Sequence, residues 1–270
     1  MNTPLLKWPG GKFQILKKLH KHIPKKGYLL VEPFAGSCAF SLNSDYENYV
    51  LNDANPDLIN LYQTIVHNPK LFIEESTELF NSTSNTEVNY YNVRDNKLNL
   101  LPFDRERAVH FHWLLRHGYN GLVRYSKGKK EFNVPYGFYK NPSLFTDRVY
   151  FFAERFEKAK FTCLPFEQLL AQDFEGAVIM NDPPYLPLSK TASFVNYAPC
   201  GFSNEDHAIL DRLCVKQSER GNNVFVCNHR VPEVDKLYVG AKSHVNYFVQ
   251  RYIAAKSGAR KRVKETLLKY

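Results

Sequence analysis

The sequence predicts an α/β chain built on an open, mostly parallel sheet, and three observations carry that expectation. Short apolar runs alternate with amphipathic stretches at both ends of the 270-residue chain, the pattern of βαβ units rather than of all-β or all-helical folds. Tyr28-Leu29-Leu30-Val31 is followed by the small-residue loop Glu32-Pro33-Phe34-Ala35-Gly36-Ser37, then by a second run, Tyr49-Val50-Leu51, with Asp53 just past its end. Strand, tight loop, helix, strand, acid is the order of a nucleotide-binding half. Finally, Ala177-Val178-Ile179-Met180 leads into Asp182-Pro183-Pro184-Tyr185, at a strand end where open α/β sheets place their chemistry.

The elements follow in order. Over residues 11–22, Phe13, Ile15, Leu16 and Leu19 fall at helical spacing, and Pro24 with Gly27 ends that helix. The loop after Val31 leads into a short helix closing at Leu42. From Asn55 the chain turns to polar helices as far as His117, then to a Gly- and Lys-rich stretch over 118–142 with strand-like pieces at 122–123 and 132–134. No strand of the parallel type occurs there. Residues 56–144 are therefore expected to form a mostly helical insertion with a β-hairpin, between catalytic segments 1–55 and 145–270. Alternation resumes with a helix over 144–158 and strands at 160–163 and 177–180. A helix over 204–220, a strand over 223–227 and a final strand over 245–252 complete the expected sheet.

A hydrophobic content of 44% supports a sizeable core, and the net charge of +9 fits an anionic partner such as nucleic acid. Tyr and Phe interleaved with Lys and Arg supply a surface on which bases can stack. The five cysteines are widely spaced without a C-x-x-C pair, which argues against both a disulfide framework and a zinc site. Neither a leader nor a membrane-spanning run is visible, so a soluble, cytoplasmic setting is expected. His112, His207 and His229 read as ordinary core or surface histidines, because no zinc-hydrolase pattern accompanies them.

Two consecutive prolines after Asp182 cannot continue a ladder or start a regular helix, so the chain leaves the strand as a stiff, directed segment. That arrangement suits an exocyclic amine on a flat base: Asp182 and the Pro183 carbonyl can accept its two N–H groups while Tyr185 stacks on the ring. Taken alone, the tetrapeptide reads equally as a turn with a packed Tyr. The loop over 32–38 would hold a cofactor by close backbone approach at Gly36, with Asp53 on ribose hydroxyls; alone it reads as a plain strand-to-helix turn. Lys7-Trp8-Pro9-Gly10-Gly11-Lys12 places an aromatic, two glycines and a cation at a helix start, which suits covering a ligand and also suits an amphipathic helix with a core Trp.

The order of these pieces, with Arg116-His117-Gly118-Tyr119-Asn120-Gly121-Leu122-Val123-Arg124-Tyr125 and Phe132-Asn133-Val134-Pro135-Tyr136-Gly137 between them and a basic end near Arg260-Lys261, resembles the Dam family of DNA adenine-N6 methyltransferases (the D12 class) nearly end to end. The resemblance implies a Rossmann-like, S-adenosylmethionine-dependent methyltransferase sheet with an inserted DNA-recognition domain. It implies double-stranded DNA as partner and methyl transfer to adenine N6 within GATC. Asp182, Pro183, Pro184 and Tyr185 would be catalytic, and Trp8, Lys12, Glu32, Phe34, Gly36, Asp53, Phe166 and Asp182 would hold the cofactor S-adenosylmethionine. Arg124 would read a guanine, Leu122 and Pro135 a thymine methyl, Tyr119 would wedge into the base stack beside Asn120, and Lys7 would reach the outer guanine. Arg94, Arg116, Asn133 and Lys140 would contact phosphates. The family's loop usually carries a second glycine where this chain has Cys38.

The chemistry this implies needs no metal. Hydrogen bonds that favour a pyramidal N6 free its lone pair, and the carboxylate of Asp182 together with the face of Tyr185, worth about 0.5–2 kcal/mol as a cation–π contact, stabilise the charge that builds there. An adenine in a duplex must first be rotated out. Two alternatives stay open: a cytosine-N4 methyltransferase using the same motif, and a DNA-binding regulator that keeps the fold without turnover. A companion restriction endonuclease is equally left open.

Overall fold

The computed structural model describes residues 1–128, 131–188, 201–250 and 262–270. The sheet consists of β1 (Lys26–Glu32), β2 (Asp45–Asn52), β3 (Lys160–Thr162), β4 (Ala177–Asn181), β5 (Asn223–His229), β6 (Ser243–Gln250) and β7 (Arg262–Lys269), in the spatial order β3-β2-β1-β4-β5-β7-β6. The pairs β1–β2, β1–β4, β2–β3 and β4–β5 are parallel, and β7 is antiparallel to both β5 and β6. From β1 the chain steps outward through β2 to β3, then restarts at β4 on the other side, so the carboxyl ends of β1 and β4 flank a crevice at the switch point. Every residue of β4 is buried, as a strand covered on both faces requires.

Helices α1 (Leu16–Leu19), α2 (Pro56–His67), α3 (Pro69–Leu79), α4 (Glu87–Asn96), α5 (Arg105–His117), α6 (Thr146–Arg155), α7 (Phe166–Leu170), α8 (Asn204–Glu219) and α9 (Pro232–Leu237) complete the regular elements described. Their starts are locally encoded. Asn55 caps α2 by accepting the Leu58 N–H at 3.1 Å with Pro56 behind it, and Ser203 with Asp206 forms a capping box on α8. On one sheet face Leu30 and Leu51 share a core with Tyr62, Phe72, Phe111 and Trp113, so the helices after residue 55 pack as an extension of the sheet's own interior. On the other face Val31, Ile179 and Val226 pack with Leu169, Leu210 and Cys214. Within the helical part, Arg107 donates to Asp57 at 2.6 Å and to the Leu101 carbonyl at 2.7 Å, and the Tyr125 hydroxyl meets the second Asp57 oxygen at 2.7 Å.

The expected helix over 11–22 breaks into a 3-10 turn, Phe13–Ile15, and the single turn α1, because Lys12 at the N-cap offers no acceptor to the first amides. The helix expected to close at Leu42 is only a 3-10 turn, Ser41–Asn43. Gly36 and Cys38 stand before it at φ of 47° and 54°, conformations from which a right-handed helix cannot begin. The expected hairpin is an irregular ribbon with isolated bridges at Gly118–Tyr136 and Tyr125–Phe132, since Pro135 and the nearby glycines interrupt any ladder.

The strand expected to be last is β6, and β7 follows it and pairs with it antiparallel. The sequence Lys264-Glu265-Thr266-Leu267-Leu268-Lys269 is rich in helix formers, yet Leu267 and Leu268 are fully buried; pairing on both edges overrides local propensity here. Lys129, Lys130, Cys200, Arg260 and Lys261 lie outside the described residues. No described helix is long and apolar enough to cross a membrane.

Candidate active site

The loop after β1 is fixed from both sides. The Gly36 N–H donates to Asp53 Oδ2 at 2.9 Å, the Gly36 carbonyl accepts from the Tyr62 hydroxyl at 2.7 Å, and Asp53 Oδ1 takes the Asn55 N–H at 2.9 Å. Asp53 thus ties the carboxyl ends of β1 and β2 together. A Cβ at Gly36 would lie 2.9 Å from Cδ1 of Trp8, so the indole lies directly on this glycine, and the turn carrying it is closed by the Gly11 N–H on the Trp8 carbonyl at 3.1 Å. Cys38 has a left-handed backbone that favours glycine, with φ of 54° and a fully buried side chain. A Cβ in that conformation costs about 1–2 kcal/mol.

Glu32, the last residue of β1, is buried and accepts the Ser41 N–H at 3.2 Å. Burial pushes its carboxyl from the ordinary 4.5 to about 8, with Ser41 pulling the other way and Asp182 adding repulsion. The native chain therefore holds a proton on Glu32 that the unfolded chain releases above about pH 4.5, and stability falls as pH rises from there through about 8. Glu32→Gln removes that loss. Thermal unfolding from pH 6 to pH 9 should show the variant gaining on wild type by about 2–4 °C per kcal/mol; parallel melting curves across that range would remove Glu32 from the linkage.

At the end of β4, Asp182 Oδ1 pairs with Lys12 Nζ at 2.6 Å. The same ammonium donates to the Gly10 carbonyl at 2.6 Å and stands 4.7 Å above the centre of the Tyr185 ring. Burial disfavours the charge on Lys12, but Asp182, Cys227 and Glu265 outweigh it and raise its pKa. Asp182 is itself lifted by burial, with Lys12 opposing. Pro183 is buried and Pro184 exposed. The predicted residues Trp8, Lys12, Glu32, Gly36, Asp53, Asp182 and Tyr185 thus come together at one sheet edge. Phe34 and Phe166 meet there too, with ring centres 5.5 Å apart.

Sequence reasoning missed Phe202, whose ring completes a triangle with those two at 5.7 and 5.4 Å. Its only signal was its place one residue before the α8 capping box. It also missed Asn228, and passed over His229, which is buried at the end of β5 with its ring against Tyr185. His112 is a core residue between Phe72 and Phe80, held neutral by burial with its pKa lowered to about 3. His207 is buried against Tyr238.

A second group lies along the ribbon. Lys7 Nζ donates to Asn120 Oδ1 at 2.6 Å, and its stem packs on Gly121, so the N-terminal segment and the ribbon present one face. Tyr119 is half exposed, and Arg124 and Lys140 are exposed. Arg124 Nε and Nη2 donate to the side chain and backbone carbonyl of Asn133 at 2.7 and 2.8 Å; Asn133 therefore orients Arg124. Leu122 and Pro135 are half-buried on the same ribbon. Arg94 and Arg116 spend N–H groups inside the protein, Arg94 on Asp95 and the Val134 carbonyl and Arg116 on the Ser143 carbonyl.

Residues 8–250 match the family model of the D12 class N6 adenine-specific DNA methyltransferases. The chain is 39% identical over 269 residues to the DNA adenine methylase of Escherichia coli strain K12, covering 100% of this chain and 95% of that protein. It is 38% identical over 263 residues to the DNA adenine methylase of Vibrio cholerae serotype O1, covering 97% and 94%. It is 40% identical over 255 residues to the retron Ec67 DNA adenine methylase of Escherichia coli, covering 94% and 84%. With its sheet order and its carboxyl-edge site, the chain belongs to the D12 class of N6 adenine-specific DNA methyltransferases, enzymes on an S-adenosylmethionine-dependent methyltransferase fold.

Proposed function

We propose that this enzyme moves a methyl group from S-adenosylmethionine to N6 of an adenine rotated out of duplex DNA, within the sequence GATC. The observation that carries the chemistry is the seat of the Lys12 ammonium, on the Asp182 carboxylate and over the Tyr185 face. Those are the two groups a methylated, cationic N6 needs, and here they already hold a cation. The residues at the edge also fit the donor. Phe34, Phe166 and Phe202 offer an apolar surface for a flat base, Asp53 keeps lone pairs for ribose hydroxyls, and buried Glu32 gains a reason to ionise when a cation approaches. When bound, that donor supplies a sulfonium methyl. Asp182 and the Pro183 carbonyl then accept the N6 hydrogens, and stacking on Tyr185 offsets part of the few kcal/mol, roughly, of extruding the base.

In this reading residues 56–144 are the recognition segment within the catalytic domain formed by 1–55 and 145–270. Lys7, Tyr119, Asn120, Leu122, Arg124, Asn133, Pro135 and Lys140 form the DNA face. Arg94 and Arg116 support it from behind, because their internal bonds hold the ribbon. Labelled methyl transfer to duplexes that differ from GATC by one base pair, with product analysis for N6-methyladenine, tests the whole reading. No transfer to the GATC duplex would sink it. Arg124→Ala should cost about 1–3 kcal/mol at the cognate site and relax discrimination at one base pair, whereas Lys140→Ala should weaken all duplexes alike and lower the salt slope by about one. A uniform loss across the panel in Arg124→Ala would make Arg124 a phosphate or structural residue.

A further inference from the structure

The residue that follows Tyr185 is held at both of its backbone polar groups by side chains from the end of β5. Asn228 Oδ1 accepts the Leu186 N–H at 3.0 Å and the His229 N–H at 2.8 Å, and His229 Nδ1 lies 2.6 Å from the Leu186 carbonyl oxygen. A carbonyl can only accept, so Nδ1 carries the proton and the tautomer of His229 is set. The imidazole also meets the Tyr185 ring edge-on, with centres 4.9 Å apart. Asn228 is 0% and His229 5% exposed, so these bonds do not compete with water. The Asn228 amide donates in turn to the Tyr238 hydroxyl at 3.4 Å, and that hydroxyl is 2.6 Å from His207 Nδ1, which orients the carboxamide with its oxygen toward Leu186.

Asn228 and His229 have other partners as well, but each places a hydrogen bond on Leu186, and together they hold both backbone polar groups of the residue that follows the Asp182–Tyr185 segment. Pro183 and Pro184 stiffen that segment from within, but stiffness fixes direction only if the far end is fixed. We infer that Asn228 and His229 are positioning residues for methyl transfer: by clamping Leu186 they set where the Tyr185 ring and the Pro183 carbonyl point. The inference rests on the roles proposed above for Asp182 to Tyr185. A displacement of about 1 Å at such a segment costs up to about a hundredfold in rate without any loss of contact to the substrate.

The test pairs a measurement on the free enzyme with one on the reaction. Hydrogen exchange at the Leu186 amide, followed by NMR, is compared in wild type, Asn228→Ala and Asn228→Asp, the last of which keeps an acceptor oxygen. Alanine should speed exchange about tenfold or more, and aspartate should keep the protection. Single-turnover transfer from labelled S-adenosylmethionine to a GATC duplex should fall about ten- to hundredfold in Asn228→Ala, with cofactor and duplex affinities within about threefold of wild type, and should recover in Asn228→Asp. His229→Phe, which keeps a ring against Tyr185 and removes the donor, should lose rate in the same way and carries the test if Asn228→Ala fails to fold. Equal Leu186 exchange in all proteins overturns the clamp. Faster exchange with unchanged turnover overturns its positioning role. Absence of transfer in wild type itself overturns the functional reading and this catalytic role together, and exchange then still decides the clamp.

Discussion

Asp182→Ala is expected to cut the single-turnover rate of methyl transfer by about 10²–10³-fold, with the affinity for duplex largely kept. In the proposed reaction the carboxylate acts on charge that is absent from the ground state and present in the transition state, so its removal is expected in the chemical step rather than in duplex binding. The magnitude is that of losing one preorganised electrostatic group from a site shielded from water. The ion pair with Lys12 adds a second consequence: alanine leaves that buried ammonium without its nearest carboxylate. Asp182→Asn separates the two effects, because it keeps the shape and one acceptor oxygen but not the charge. Both variants should fail in transfer, measured beside cofactor calorimetry and duplex titration. Turnover near the wild-type rate in either one would take Asp182 out of the mechanism.

The largest expected effect on stability lies away from the site. Arg107→Met breaks the buried pair with Asp57 and leaves a carboxylate of 2% exposure with the Tyr125 hydroxyl as its remaining side-chain donor among the described residues. Removing one partner of such a pair costs about 3–5 kcal/mol, far more than the pair is worth relative to an apolar replacement. That is a fall in Tm of about 6–20 °C. Replacing Asp57 by Leu in the same chain should recover much of it, because no charge then stays buried. Calorimetry of the two single variants and the double variant checks this; a single variant melting with wild type would mean that the carboxylate finds water or another donor.

The parallel part of the sheet was legible in the sequence because its strands are short apolar runs bounded by turn residues, and β1, β2, β4 and β5 lie where those runs are. The sheet edge of the candidate site was legible for the same reason: Glu32, Asp53 and Asp182 are polar residues at or just past the ends of apolar runs. Partners whose role depends on distant pairing were not. Asn228 is an ordinary polar residue at the end of a strand until β4 and β5 are placed side by side, and Phe202 is a lone aromatic until β1 and α7 bring Phe34 and Phe166 to it. For Asn133 the resemblance implied a phosphate contact. Only the fold of the ribbon puts it on the Arg124 guanidinium. Strand β7 escaped because its residues favour helix and its burial comes wholly from neighbours.

That strand also dictates an order of assembly. β6 reaches the sheet only through β7, which lies between it and β5, although β6 is made first. A nascent chain that has emerged as far as β6 thus lacks the strand β6 pairs with in the native sheet, and β5 waits with one unpaired edge carrying Phe225, Val226 and Cys227, all buried in the finished protein. Such an edge invites pairing with other chains. Closure of the sheet, and with it the burial of the Glu265 side chain, must come after synthesis of β7, so translation that pauses before Arg262 should favour aggregation over folding.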